Sequence, residues 1–268
     1  MRDRMLEGLG LLRHEPTEMR VRVATADRQV ADTTGAVLVW EPRRVVPSYA
    51  VPVADLRAEL TPSRAEPAPV PDGVLHPGIP FTAHTAAGEP VDLLVDGVRL
   101  AGAGFRPHDA ELEGYVVLDF RAFDAWYEED FRLLSHPREP YHRVDVRPTS
   151  RTVRIELDGT VLAESSRATL VFETGLPMRF YLPREDVRAE LVPGTLRTAC
   201  AYKGRAVYFS AAGRADLAWS YPEPLDGAAD LAGLIAFFDD TLDVFLDGHR
   251  REPPNTAVAE AILRGFRS

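Results

Sequence analysis

The chain repeats itself. Pro16-Thr17 and Pro148-Thr149 lie 132 residues apart, and the same offset relates Val21-Arg22 to Val153-Arg154, Val30-Ala31-Asp32 to Leu162-Ala163-Glu164, and Trp40-Glu41 to Phe172-Glu173. The run Asp55-Leu56-Arg57-Ala58-Glu59-Leu60 returns as Asp186-Val187-Arg188-Ala189-Glu190-Leu191 at offset 131. The offset then falls to 116, where Thr82-Ala83-His84 and Gly88 face Thr198-Ala199-Cys200 and Gly204. A longer first-half linker, 61–81, takes up the difference. Its prolines at 62, 67, 69, 71, 77 and 80 predict an extended surface excursion. Two halves in phase require two small domains of one architecture.

Local patterning is β. Residues 151–157 alternate as Arg-Thr-Val-Arg-Ile-Glu-Leu, and Asp158-Gly159 supplies a tight-hairpin signal before 160–163. Further short strands are expected at 169–173, 179–182, 206–210, 217–221, 234–238 and 242–246, with turns at Gly175, Gly213 and Gly248. One helical turn is expected at Pro183-Arg184-Glu185-Asp186. The fold class is therefore mostly β, two tandem barrel or folded-sandwich domains. The expected division is a lead-in over 1–15, a first repeat over 16–133, a connector over 134–147, a second repeat over 148–251 and a short C-terminal helix within 252–268. Asn255 would cap that helix.

Charge narrows the function classes. A net charge of −10 argues against nucleic-acid and anionic-membrane partners, which need a basic face. No apolar run has the length of a membrane span, and the first residues lack a signal-peptide pattern. A single cysteine cannot form an internal disulfide, which fits a reducing, cytoplasmic setting.

That cysteine sits in Thr198-Ala199-Cys200-Ala201-Tyr202-Lys203-Gly204, which also holds the only lysine among 31 basic residues. Where every other cation is arginine, a surviving lysine marks a position that a guanidinium does not serve. An ammonium stabilises a thiolate, the nucleophilic form of cysteine, so Cys200 and Lys203 are the candidate catalytic pair. The bland alternative is a small buried thiol beside a Lys-Gly turn.

Together with Arg154, Phe172-Glu173-Thr174, 181–187, 218–224 and Asp243-Val244, this motif resembles domain-of-unknown-function family 427. The whole chain is similar to the tandem form of that family, with the first half as a diverged copy. The resemblance implies a β-tent domain similar to that of type B methionine sulfoxide reductases, and it implies no activity. Ala201 stands where the family's Cys-Pro-x-Lys-Gly pattern has proline. Nucleotidyl transfer finds no support in the residues, which offer no Gly-rich phosphate cradle and no Asp-x-Asp pair after a Gly-Ser turn.

Relatives of β-tent shape bind zinc through two Cys-x-x-Cys pairs, which one cysteine rules out, and the seven histidines show no metal-ligand spacing. No metal or other cofactor is expected. Glu173 or Asp186 would orient Lys203, Arg154 or Arg184 would bind a carboxylate substrate, and Tyr202, Tyr208, Trp219 and Tyr221 would wall the pocket. His249 is the one histidine of the second repeat, while His84 or His142 would have to reach across. In the first half His84 replaces the cysteine, Ala87 the lysine, and Phe105-Arg106-Pro107 stands near the place of 219–222. The expectation is a small-molecule enzyme of addition or acyl-transfer type in the second repeat, with the first as scaffold, lid or binding partner. A noncatalytic small-molecule-binding module and a scaffold protein are the alternatives, and the oligomeric state is left open.

Overall fold

The computed structural model describes residues 8–26 and 28–252. The expected C-terminal helix and the first seven residues of the N-terminal lead-in lie outside them. The chain divides between Glu139 and Pro140 into two compact units.

The first unit contains β1 (Arg13–Pro16), β2 (Val21–Thr25), β3 (Arg28–Thr33), β4 (Val37–Trp40), β5 (Ser48–Pro52), β6 (Glu59–Pro62), β7 (Gly88–Val95), β8 (Val98–Pro107), β9 (Tyr115–Leu118), β10 (Ala125–Glu128) and β11 (Phe131–Arg132). They form a seven-stranded sheet, β1-β4-β5-β9-β8-β7-β6, and a four-stranded sheet, β11-β10-β2-β3. The second unit contains β12 (Val144–Pro148), β13 (Val153–Leu157), β14 (Thr160–Ser165), β15 (Thr169–Glu173), β16 (Arg179–Leu182), β17 (Val192–Cys200), β18 (Gly204–Ala211), β19 (Arg214–Ser220), β20 (Ile235–Phe237), β21 (Asp243–Leu246) and β22 (His249–Arg250). Its sheets run β12-β15-β16-β20-β19-β18-β17 and β14-β13-β21-β22, which is the same strand order. The fold is mostly β, with two sheets in each unit.

The strands form where side chains alternate between two destinations. Residues of both sheets of the second unit meet in one core, including Val153, Ile155, Leu162, Leu170, Phe180, Leu182, Leu217, Ala218, Ile235 and Phe237. The neighbouring positions Val171, Tyr181, Trp219 and Ala236 point the other way and build a second apolar layer with Ala206, Tyr208 and Tyr221. A seven-stranded sheet buried on both faces accounts for strands that are apolar at consecutive positions. Asp158 and Gly159 both have positive φ, as the expected tight hairpin requires, and close Leu157 onto Thr160. The helical turn expected at Pro183 is a one-turn 3-10 helix, Arg184–Asp186.

Strand β17 is not expected from the sequence. It is an edge strand whose far end brings Cys200 opposite Gly204, so that Ala201-Tyr202-Lys203 is the loop of a hairpin. Residues Val144 and Val146, placed in the connector by sequence, belong to edge strand β12 and pack against the second apolar layer. In the first unit the proline-rich excursion is held down. The buried Arg44 guanidinium donates to the carbonyls of Pro80 (2.7 Å), Ala83 (3.0 Å), Phe81 (3.2 Å) and Ile79 (3.4 Å). Among the described residues no helix is long and apolar enough to cross a membrane.

Candidate active site

Gly204 makes the hairpin loop possible. Its φ of +109° lies where side chains are disfavoured, and a Cβ there would stand 3.1 Å from the Glu223 carbonyl oxygen and 3.3 Å from the Leu225 nitrogen. The Leu225 amide in turn donates to the Lys203 carbonyl at 3.1 Å. The loop is thereby clamped against 223–225, and its lysine is turned inward.

Lys203 is 6% exposed and its ammonium donates to Glu173 Oε2. The other carboxylate oxygen, Oε1, lies 3.1 Å from His142 Nε2. His142 stacks on Tyr202, with ring centroids 4.3 Å apart. Burial works to raise the Glu173 carboxyl, but the Lys203 ammonium and the His142 hydrogen bond outweigh it and bring it down to about 2. Burial likewise works against charge on Lys203, and Glu173 outweighs it, so the amine is held above its ordinary value. Lys203 is therefore a permanent ammonium at neutral pH. It supplies charge, and it does not supply a base.

Cys200 is partly exposed and packs against the layer of Tyr181, Tyr208, Trp219 and Tyr221. Its electrostatic neighbours include Lys203, Tyr181, Tyr208 and Tyr221. Trp219 Nε1 donates to Tyr181 Oη at 3.1 Å, and Thr198 Oγ1 and Tyr208 Oη share a hydrogen bond of 2.9 Å. Burial pushes the Tyr181 phenol up to about 12, and it raises Tyr208 and Tyr221 as well. The phenols stay protonated, available as neutral donors beside a fixed cation.

The structure thus joins Cys200, Lys203, Glu173, Tyr202, Tyr208, Trp219 and Tyr221. It does not bring the other expected residues to this hairpin. Asp186 holds Ser165 Oγ at 2.6 Å and Arg167 at 2.9 Å. Arg154 pairs with Glu156 at 2.8 Å and lies over Phe245, on the four-stranded sheet. Arg184 is exposed on its 3-10 turn, and His249 is exposed on β22. For Asp186 and Arg154, a local contact is satisfied more readily than a reach to the loop. His142 needs no crossing between units, because it belongs to the second. Tyr181 is a site residue that the sequence reading omits, although its place beside Phe180 in an alternating strand identifies it as facing the second layer. Among the described residues no group of three or more His, Cys, Asp or Glu is arranged to hold a metal ion. A separate open cleft of about 620 Å³, which Leu162, Arg188, Val192, Ala211 and Arg214 help to line, does not include Cys200.

The first unit keeps the carboxylate and changes its company. Glu41 is 3% exposed and accepts from His84 Nδ1 at 2.9 Å and from the amides of Thr85 (2.7 Å) and Ala86 (3.1 Å). Burial would raise its carboxyl, yet these bonds and His84 leave it below its ordinary value.

Residues 145–248 match the family described as Domain of unknown function (DUF427). The matched stretch carries Glu173, Cys200 and Lys203 and runs from β12 to the turn before β22. A comparison with curated proteins gives no match.

Proposed function

We propose that the second unit performs thiol chemistry on a small molecule in the cytoplasm, with Cys200 as nucleophile and Lys203 as its fixed cationic neighbour. The observation that carries this reading is the position of the chain's only lysine, buried, ionised and within electrostatic reach of its only cysteine. A buried ion pair adds little net stability over well-packed apolar side chains, so its presence here calls for another role. In an acyl transfer the thiolate would attack a carbonyl carbon, forming the C–S bond as the carbonyl π pair moves onto oxygen. That oxygen would be stabilised by protonated phenols of the aromatic layer, and collapse would break the bond to the leaving group, which takes up from water the proton that the thiol released; a water or other nucleophile would then attack the thioester, break the C–S bond and restore the thiol. The first unit, which has the same strand order, is read as a diverged copy of the same domain that has no thiol.

The test is the rate of Cys200 alkylation by iodoacetamide at pH 7, read by intact mass. It compares wild type with Lys203→Met/Glu173→Leu, which removes both charges together. The ammonium is the member of the pair that interacts with Cys200, so removing it should still slow the reaction severalfold, although loss of the carboxylate offsets part of the effect. Equal rates, or a wild-type thiol that reacts only after denaturation, would remove the basis for the proposal. The second reading is a noncatalytic binding module in which the same site holds a metabolite and Lys203 is a charge partner for its anion; retained affinity in Cys200→Ser, with no turnover by either form, would favour it.

A further inference from the structure

The first unit contains a histidine with one ring nitrogen held fast and the other buried without a partner. Glu41 is fully engaged, with Oε1 on His84 Nδ1 and Oε2 on the two backbone amides. An ionised carboxylate only accepts, so Nδ1 carries the proton, and in the neutral ring the lone pair is then at Nε2. That Nε2 is buried and has no hydrogen-bond partner among the described residues. The ring is oriented as firmly as the polar groups of a working site, stacked on Phe105 at 3.9 Å and met edge-on by Phe81 at 5.0 Å. Arg44 Nε is a second buried nitrogen without a hydrogen bond, 3.8 Å from Glu41 Oε1. Buried polar atoms left unpaired are uncommon and costly, and two of them border one carboxylate here.

We propose that the first unit holds its own small-molecule site, in which His84 Nε2 accepts a hydrogen bond from a neutral ligand bearing an O–H group, a phenol or an alcohol. Glu41 and Arg44 cancel as charges, which suits a neutral ligand better than an ion. Phe81, half-buried and edge-on to the imidazole, supplies an aromatic wall that suits a ring. Phe81 belongs to the excursion that Arg44 fastens through its carbonyls, so a substitution of Phe81 tests whether that segment covers Nε2.

The experiment treats the full chain with diethyl pyrocarbonate, which acylates an unprotonated imidazole nitrogen. Peptide mass mapping follows His84 beside the exposed reference His108, in wild type and in Phe81→Ala. His84 is expected to react in at least one of the two proteins by the time His108 is fully modified, and faster in Phe81→Ala. Phenol at about four times its Kd should slow His84 about fivefold, as the free fraction falls by 1 + [L]/Kd, while leaving His108 unchanged. Toluene, which has the ring without the O–H, should not protect. The proposal is overturned if His84 stays unmodified in both proteins, if phenol gives no protection and the nitrogen is served by an internal water only, or if toluene protects equally well.

Discussion

Glu41 and Glu173 occupy equivalent places in two sheets of the same strand order. Each stands at the end of the equivalent strand of its unit, beside the outer layer of the seven-stranded sheet, with side chains 3% and 12% exposed. Glu173 is neutralised by a lysine and approached by a histidine. Glu41 is held by a histidine and two amides.

Acid should weaken the second unit through Glu173. Its carboxyl lies near 2 in the folded protein against an ordinary 4.5, so the unfolded chain binds the proton more readily. The associated stability is fully present above about pH 5 and is lost as pH falls through the folded value. A displacement of this size is worth on the order of 3 kcal/mol. Urea unfolding between pH 6 and 3, followed by hydrogen exchange of peptides around Trp219, should show the decline in wild type and a flatter profile in Glu173→Gln, which has no proton to take up at this position.

Breaking the ion pair from one side should cost more than removing it whole. Glu173→Gln strands a buried ammonium and is expected to destabilise by about 3–5 kcal/mol. Lys203→Met/Glu173→Leu should recover most of that loss. A double-mutant cycle of Lys203→Met, Glu173→Leu and the two combined, with Glu173→Gln measured beside it by chemical denaturation, checks both statements, and additive losses would contradict them.

Lys203 should be chemically silent in the folded state. Reductive methylation needs a free, uncharged amine, and this one is ionised and enclosed. Peptide mapping should find it unmodified after treatment of the native protein and modified after treatment in denaturant.

Two glycines with left-handed backbone should respond differently to alanine. Gly213, at φ +75° with open space around it, should lose roughly 1 kcal/mol from backbone strain alone. Gly204, at φ +109° and walled by the backbone of 223–225, should lose more than about 2 kcal/mol, because strand and turn must both shift. Thermal or urea unfolding of the two variants gives the comparison.

Much of the architecture is readable because alternation and turn chemistry act over a few residues. The Asp158-Gly159 hairpin, the strand ending at Glu173 and the strands of 206–210 and 217–221 are visible in the residues that build them. Strand β17 is not, since Val192-Pro193-Gly194 and Arg197 carry no alternation and the strand pairs only through β18. The contact of His142 with Glu173 depends on β12 pairing with β15 in a register that sets Val144 opposite Glu173, a relation across 31 residues that local pattern does not encode. Asp186 and Arg154 show the converse. Their charges suit a site, but partners a few residues or one strand away claim them first. His84 stands out in the sequence as a replacement for cysteine and Glu41 as the counterpart of Glu173, but no local pattern says that the two meet across 43 residues.

The enclosure of Lys203 also shapes how the molecule titrates. Its surface cations are guanidiniums, which keep their protons far into alkali. An ordinary acidic protein grows steadily more anionic above about pH 9 as its lysines discharge. This one has no exposed lysine ammonium among the described residues to lose, so its electrophoretic mobility should change little there until its tyrosines ionise.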